Sequence, residues 1–183
     1  MAARAVPAPL AHLPNALTLA RLGVIPVFCV LMVRAGHGHS WPAGILFGAA
    51  GVTDQIDGFL ARRWHVESRF GKIADPLADR LLIDAAVILL FAYDRLPWPG
   101  LAVVLGRDVL LLAGYRILTP RGIEIDVNLV GKAATWILYL AIGFRIVTHN
   151  ATAWPLDLFW AGVALALVAA MFYVGRAWRE LRR

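Results

Sequence analysis

Residues 50–93 read AGVTDQIDGFLARRWHVESRFGKIADPLADRLLIDAAVILLFAY, and this stretch decides the fold. Asp54, Asp57, Asp75 and Asp79 fall within 26 residues of one another, in segments that otherwise have the character of membrane-embedded helices. An ionised carboxylate in hydrocarbon is expensive, so several of them at helical spacing need a compensating partner, most simply divalent metal.

Before the short connection, Asp54, Asp57, Gly58, Ala61 and Arg62 stand at offsets of 0, 3, 4, 7 and 8, which is one helical face. After it, Gly71, Asp75 and Asp79 stand at 0, 4 and 8, again one face. The connection from Arg63 to Phe70 is short enough to make the two helices antiparallel neighbours, so their acidic faces are expected to converge at one end. Asp54 lies eight residues from Arg62, about 12 Å along the axis, which keeps the carboxylates away from the midplane and within reach of water-soluble reactants.

Working outward, the 183-residue chain is 60% hydrophobic with a mean hydropathy of +0.68. Six spans are predicted: Ala16 to Val33, Trp41 to Arg62, Gly71 to Tyr93, Trp98 to Leu118, Val130 to Val147 and Pro155 to Gly175. Each has the roughly 18 to 23 residues that a membrane helix needs. The connections carry turn residues, as in Ala35-Gly36-His37-Gly38, Asp94-Arg95-Leu96-Pro97, Thr119-Pro120-Arg121-Gly122 and His149-Asn150-Ala151-Thr152. The expected fold is an all-α integral membrane domain of six transmembrane helices over 16–175. An N-terminal interfacial segment precedes it over 1–15, with a brief helix expected from Pro9 to Pro14, and a basic cytoplasmic tail follows over 176–183.

Charge sets the orientation. Arg4, Arg62, Arg63, Arg69, Lys72, Arg121, Lys132, Arg176, Arg179, Arg182 and Arg183 gather on one side, and the opposite loops hold only Arg34 and Arg95, which predicts both termini in the cytoplasm. The net charge of +6 does not point to nucleic acid, because 16 of the 18 basic residues are Arg scattered at helix ends rather than gathered on one face. Anionic lipid headgroups and phosphate substrates are the expected partners. The single Cys29 excludes an intrachain disulfide. The first apolar segment carries Arg21 and lacks a small-x-small cleavage site, so it is expected to be retained rather than removed as a signal peptide.

Four ionised carboxylates and two divalent cations would neutralise one another, which predicts a dinuclear site. Oxygen ligands without Cys or His favour a hard ion, Mg²⁺ or Mn²⁺. Gly58, Ala61 and Gly71 leave room for a ligand to approach the backbone, and Arg62 offers a fork suited to phosphate oxygens. Together these describe a pyrophosphate site. The plainer interpretation, helix-end acids paired with Arg62, Arg63, Arg69, Lys72 and Arg80, suits any one of these aspartates better than all four at these spacings.

The run Asp54-x2-Asp57-Gly58-x2-Ala61-Arg62-x8-Gly71-x3-Asp75-x3-Asp79 resembles the full signature of the CDP-alcohol phosphotransferase family, with no position missing. Pro14-Asn15-x-Leu17-Thr18-x-x-Arg21 is similar to the start of the first helix in many members. The resemblance implies a homodimer that transfers a phosphoalcohol group from a CDP-linked donor to an acceptor hydroxyl and releases CMP. It implies metal ligands at Asp54, Asp57, Asp75 and Asp79, with Asp79 also the catalytic base. It further implies a nucleotide and pyrophosphate pocket lined by Gly58, Ala61, Arg62 and Gly71.

Val52-Thr53-Asp54, Gly58-Phe59-Leu60-Ala61-Arg62-Arg63-Trp64 and Asp75-Pro76-x-Ala78-Asp79 are similar to the branch containing phosphatidylglycerol phosphate synthases and cardiolipin synthases, whose donor is CDP-diacylglycerol. Gly106-Arg107-Asp108-Val109 and Gly131-Lys132-x-x-Thr135 resemble the acceptor side of those enzymes, so Arg107, Arg116, Arg121 and Lys132 are candidate acceptor-phosphate ligands. Glycerol-phosphate enzymes often carry Arg-Glu where this chain has Arg107-Asp108, and a second lysine where it has Ala134. Glycerol 3-phosphate, phosphatidylglycerol and inositol phosphate therefore all stand as acceptors.

His37-Gly-His39 reads as a solvated loop rather than a metal site, and Asn150-Ala151-Thr152 as a turn rather than a glycosylation site. Asp84 is expected to partner Arg107 or another helix arginine. A cation transporter also places acids inside membrane helices, but it favours deep acids on repeated or discontinuous helices, and neither is evident here.

Overall fold

The computed structural model describes residues 13–64, 71–118 and 129–181, with side chains at 20, 22–53, 80–110, 112–114, 116 and 129–175. Six helices make up these residues: α1 Leu13–Ala35, α2 Trp41–Trp64, α3 Gly71–Ala92, α4 Trp98–Leu118, α5 Leu129–Val147 and α6 Trp154–Leu181. Among the described residues there is no strand.

Two boundaries differ from expectation by more than two residues. The first helix begins at Leu13, so residues 13–15 open it instead of belonging to the interfacial segment, while 1–12 lie outside the described residues. Pro14 is tolerated because the first turn has no intrahelical partner for its missing N–H. The last helix runs past Gly175 to Leu181 and takes in most of the basic tail. Arg176-Ala177-Trp178-Arg179-Glu180-Leu181 is rich in helix formers and holds neither glycine nor proline.

The helices pack as an antiparallel bundle in which α3 and α5 are central. α5 packs most extensively on α6 and also meets α2 and α3; α3 meets α1, α2, α4 and α5; α4 also touches α6. Phe28 and Met32 of α1, Phe47 of α2, Leu90 of α3 and Ile142 of α5 are fully or almost fully buried. Ala43, Ala86, Ala134 and Ala141 lie among them and let the backbones approach closely. At Gly51 a Cβ would lie 2.3 Å from the Tyr139 ring, whose hydroxyl donates to the Phe47 carbonyl, so this α2–α5 contact requires glycine.

α5 and the Trp154–Gly175 part of α6 are long and apolar enough to cross a membrane, with mean hydropathies of 1.4 and 2.1. The acid-bearing helix α3 spends its length differently, since Lys72, Asp75, Asp79, Arg80 and Asp84 all fall in its first 14 residues.

The end of the bundle where α2, α4 and α6 begin is knitted by two buried arginines. Arg95, only 2% exposed, donates to the carbonyls of Gly38 and Thr148. Arg145 donates from Nε to the Arg95 carbonyl at 2.9 Å, to the Thr152 carbonyl at 3.0 Å and to Asn150 Oδ1 at 2.6 Å. Burial, with the Arg145 charge beside it, pulls the Arg95 guanidinium down to about 10, so it stays protonated at neutral pH. Gly38 sits at φ +62 with Tyr93 and Arg95 packed where a Cβ would go, so the turn and the clamp need glycine there. Ser40 caps α2 by accepting the Ala43 N–H at 3.3 Å. His39 stacks on His149 at 4.5 Å and meets the Val147 carbonyl, so the His37-Gly-His39 loop is anchored rather than merely solvated. Asn150 lies in a turn and is held by Arg145.

Candidate active site

The backbones of α2 and α3 carry the signature residues on stripes that continue the buried core. Along α2, Ala43 and Phe47 are fully buried, Gly51 packs on Tyr139, and the same stripe goes on through Asp54, Asp57, Gly58 and Ala61. Along α3, the positions of Gly71, Asp75 and Asp79 continue as Leu82, Ala86 and Leu90, each at most 2% exposed. α2 and α3 contact one another directly. Both stripes thus run, in register, from a buried apolar half to the sequence positions of the acids. The side chains of Asp54, Asp57, Gly58, Ala61, Arg62, Gly71, Asp75 and Asp79 lie outside the described residues.

The donor set on these stripes is four carboxylates at i, i+3 and i, i+4 spacings, with no thiol or imidazole among them. That chemistry fits a hard divalent ion such as Mg²⁺ or Mn²⁺.

A second polar layer begins one residue past Asp79. Arg80 and Asp84 stand at i, i+4 on α3, turned by register from the stripe of Asp75 and Asp79 toward α4. Arg80 Nη1 donates to the Asp108 carbonyl at 3.4 Å and so ties α3 to α4. Asp84 has Asp108 and the charges of Arg80 and Arg107 beside it, and its Oδ1 is buried without a hydrogen-bond partner. Asp84 is therefore enclosed between two arginines and a second acid, not paired to Arg107 alone. Arg107, half-buried, donates from Nη2 to Thr135 Oγ1 on α5 at 2.8 Å, and its Nη1 lies 3.8 Å from Asp108 Oδ1.

The candidate acceptor ligands separate. Arg107 reaches toward α5, and Lys132 sits one turn before the Thr135 it contacts, exposed. Arg116 is nine residues beyond Arg107, which by register is the opposite side of α4, and it too is exposed. Arg121 lies outside the described residues. Sequence reasoning singled out neither Arg145 nor a link from Arg80 to α4. The only available signal was an arginine inside an apolar run.

A family model described as CDP-alcohol phosphatidyltransferase matches residues 11–174. A Bacillus subtilis (strain 168) protein named CDP-diacylglycerol–glycerol-3-phosphate 3-phosphatidyltransferase is 31% identical over 189 residues, covering 93% of this chain and 97% of the relative. An Escherichia coli (strain K12) protein of the same name is 32% identical over 164 residues, covering 87% of each.

Proposed function

The chain belongs to the CDP-alcohol phosphatidyltransferase family, and from that premise we propose that it transfers the phosphatidyl group of CDP-diacylglycerol to glycerol 3-phosphate. The products are phosphatidylglycerol phosphate, a phospholipid precursor, and CMP. The acceptor assignment is supported by relatives named for glycerol 3-phosphate that align with nearly the whole chain. It takes precedence over the cardiolipin-type reading, for which Asp108 and Ala134 were the distinguishing residues.

The observation that carries the reading is the continuation of two core stripes into four carboxylates on contacting helices. Asp54, Asp57, Asp75 and Asp79 would hold two divalent ions, which when bound offset the charge of the pyrophosphate and make CMP a better leaving group. Arg62 would place its fork on phosphate oxygens, and Gly58, Ala61 and Gly71 would let the nucleotide lie against backbone. Asp79 would accept the proton of the acceptor hydroxyl as its oxygen bonds to the lipid-bearing phosphorus and the bond from that phosphorus to the CMP oxygen breaks. Arg107 and Lys132 would hold the acceptor phosphate.

The enzyme would sit in the membrane as six spans with both termini and the acidic end in the cytoplasm, and act as a homodimer. Large apolar side chains exposed on all six helices, among them Val30, Ile45, Ile88, Leu112, Leu140 and Met171, support lipid around the whole bundle. The excess of basic residues at the end that holds Arg62, Arg63, Lys72 and Lys132, against Arg34, Arg95 and Arg145 at the other, supports the orientation.

The test is CMP release from CDP-diacylglycerol by the purified protein in detergent, with glycerol 3-phosphate, phosphatidylglycerol and inositol phosphate supplied in parallel and Mg²⁺ or Mn²⁺ present or chelated. Release with glycerol 3-phosphate alone is expected. Turnover only with phosphatidylglycerol or with inositol phosphate would overturn the acceptor, and metal-independent turnover would overturn the role of the carboxylates.

A further inference from the structure

We propose that Thr135 is a positioning residue for the acceptor, acting by fixing the Arg107 guanidinium between α4 and α5. The inference rests on the reading of Arg107 as an acceptor-phosphate ligand.

Among the described residues α4 and α5 make no backbone-level contact with one another, although α3 packs against both. α6 packs against both as well. The bond from Arg107 Nη2 to Thr135 Oγ1 joins α4 to α5 between positions 28 residues apart. It does not bind two helices that already touch. It holds a long side chain in place between them.

The polarity of the bond is set from behind. Thr135 Oγ1 donates its single proton to the Gly131 carbonyl at 2.9 Å, one turn back on α5, which leaves the oxygen lone pairs to accept from Arg107. The guanidinium is planar, so one fixed nitrogen together with Asp108 Oδ1 at 3.8 Å from Nη1 defines both its position and its plane. Only one of its five N–H donors is spent on Thr135. The backbone on which Asp108 stands is itself held by Arg80 from α3, so three helices determine where the fork points. A free arginine gives up rotamer entropy when it is fixed. Ordering it before the acceptor arrives removes part of that cost from binding.

Steady-state kinetics of Thr135→Val, Thr135→Ser, Arg107→Ala and the Arg107→Ala/Thr135→Val double variant test this, with glycerol 3-phosphate and CDP-diacylglycerol varied separately. Valine keeps the shape of threonine and removes the acceptor oxygen. It should raise KM for glycerol 3-phosphate on the order of tenfold, with kcat and the KM for CDP-diacylglycerol within about twofold of the parent. Thr135→Ser should recover the acceptor KM. In the Arg107→Ala background Thr135→Val should add nothing, since it acts through that side chain. An unchanged acceptor KM in Thr135→Val, a parallel loss in both substrates that serine does not recover, or full additivity in the double variant would each overturn the role of Thr135. If Arg107→Ala itself leaves the acceptor KM unchanged, the reading of Arg107 as a ligand falls instead.

Discussion

The end of the bundle where α2 begins and the end where it finishes deal with charge by different means. At the first, Arg95 and Arg145 are buried, and the oxygens they donate to are backbone carbonyls at Gly38, Thr148, Arg95 and Thr152 and the Asn150 side chain. Every one of these acceptors comes from the same chain, while Arg95 Nε is buried without one. At the other, α2 and α3 carry four aspartates, which when ionised are acceptors only, and acids alone cannot satisfy one another. Charge met by backbone is architecture. Charge that calls for cations from outside is, on the proposed reading, a place for chemistry.

The sharpest way to break this contrast is to withdraw the cations. Chelation should abolish CMP release and lower the melting temperature, because the acids then repel one another or must take up protons; a chelated sample with full turnover would end the distinction. Next in size is Asp79→Asn, which keeps volume and removes proton acceptance. Turnover should fall by about 10² to 10⁴ while CDP-diacylglycerol binding largely survives, as a comparison of single-turnover rates with equilibrium binding would show.

The clamped end should respond the other way. Arg95→Met leaves two loop carbonyls without their donor and should cost about 2 to 4 kcal/mol of stability, read as a lower melting temperature in detergent. Turnover per folded molecule should change little, and a loss comparable to that of Asp79→Asn would mean that the two ends are coupled. Smaller again is Gly51→Ala, whose new Cβ meets the Tyr139 ring. Overpacking of this kind costs about 1 to 3 kcal/mol. Because Gly51 stands one turn before Asp54, thermal melting and metal titration of this variant together would show whether the dry half of the stripe sets the acidic half.

The family and its acidic signature were legible in the sequence because that information is local. Asp54, Asp57 and Ala61 on one helix and Gly71, Asp75 and Asp79 on the next encode a face by spacing alone, and the family resemblance rests on the same residues. The clamp was not legible for the opposite reason. Arg95 and Arg145 bond to backbone carbonyls, which every residue has, so no partner residue type marks the site. The Arg107–Thr135 bond joins two residues already singled out, but its geometry depends on how α4 and α5 sit on α3. The helix ends at Leu13 and Leu181 were missed because proline and charge were read as boundaries where the first turn tolerates one and good helix formers carry the other.

Three helices that start at the clamped end open on the same dipeptide: Trp41-Pro42, Trp98-Pro99 and Trp154-Pro155. Their tryptophans are 60%, 70% and 47% exposed, and indole rings at such positions settle at the level of lipid headgroups. They act as a depth gauge for the rest of the molecule. Counted from Trp41 along α2 at 1.5 Å per residue, Asp54 stands about 20 Å below that level and Ala61 about 30 Å, against a hydrocarbon core of about 30 Å. On the proposed placement as six spans, the α2 acids would lie inside the far leaflet and Ala61 at its surface. A donor whose acyl chains stay in that leaflet would then present its phosphates there to an acceptor arriving from water, and neither would have to cross the layer that belongs to the other.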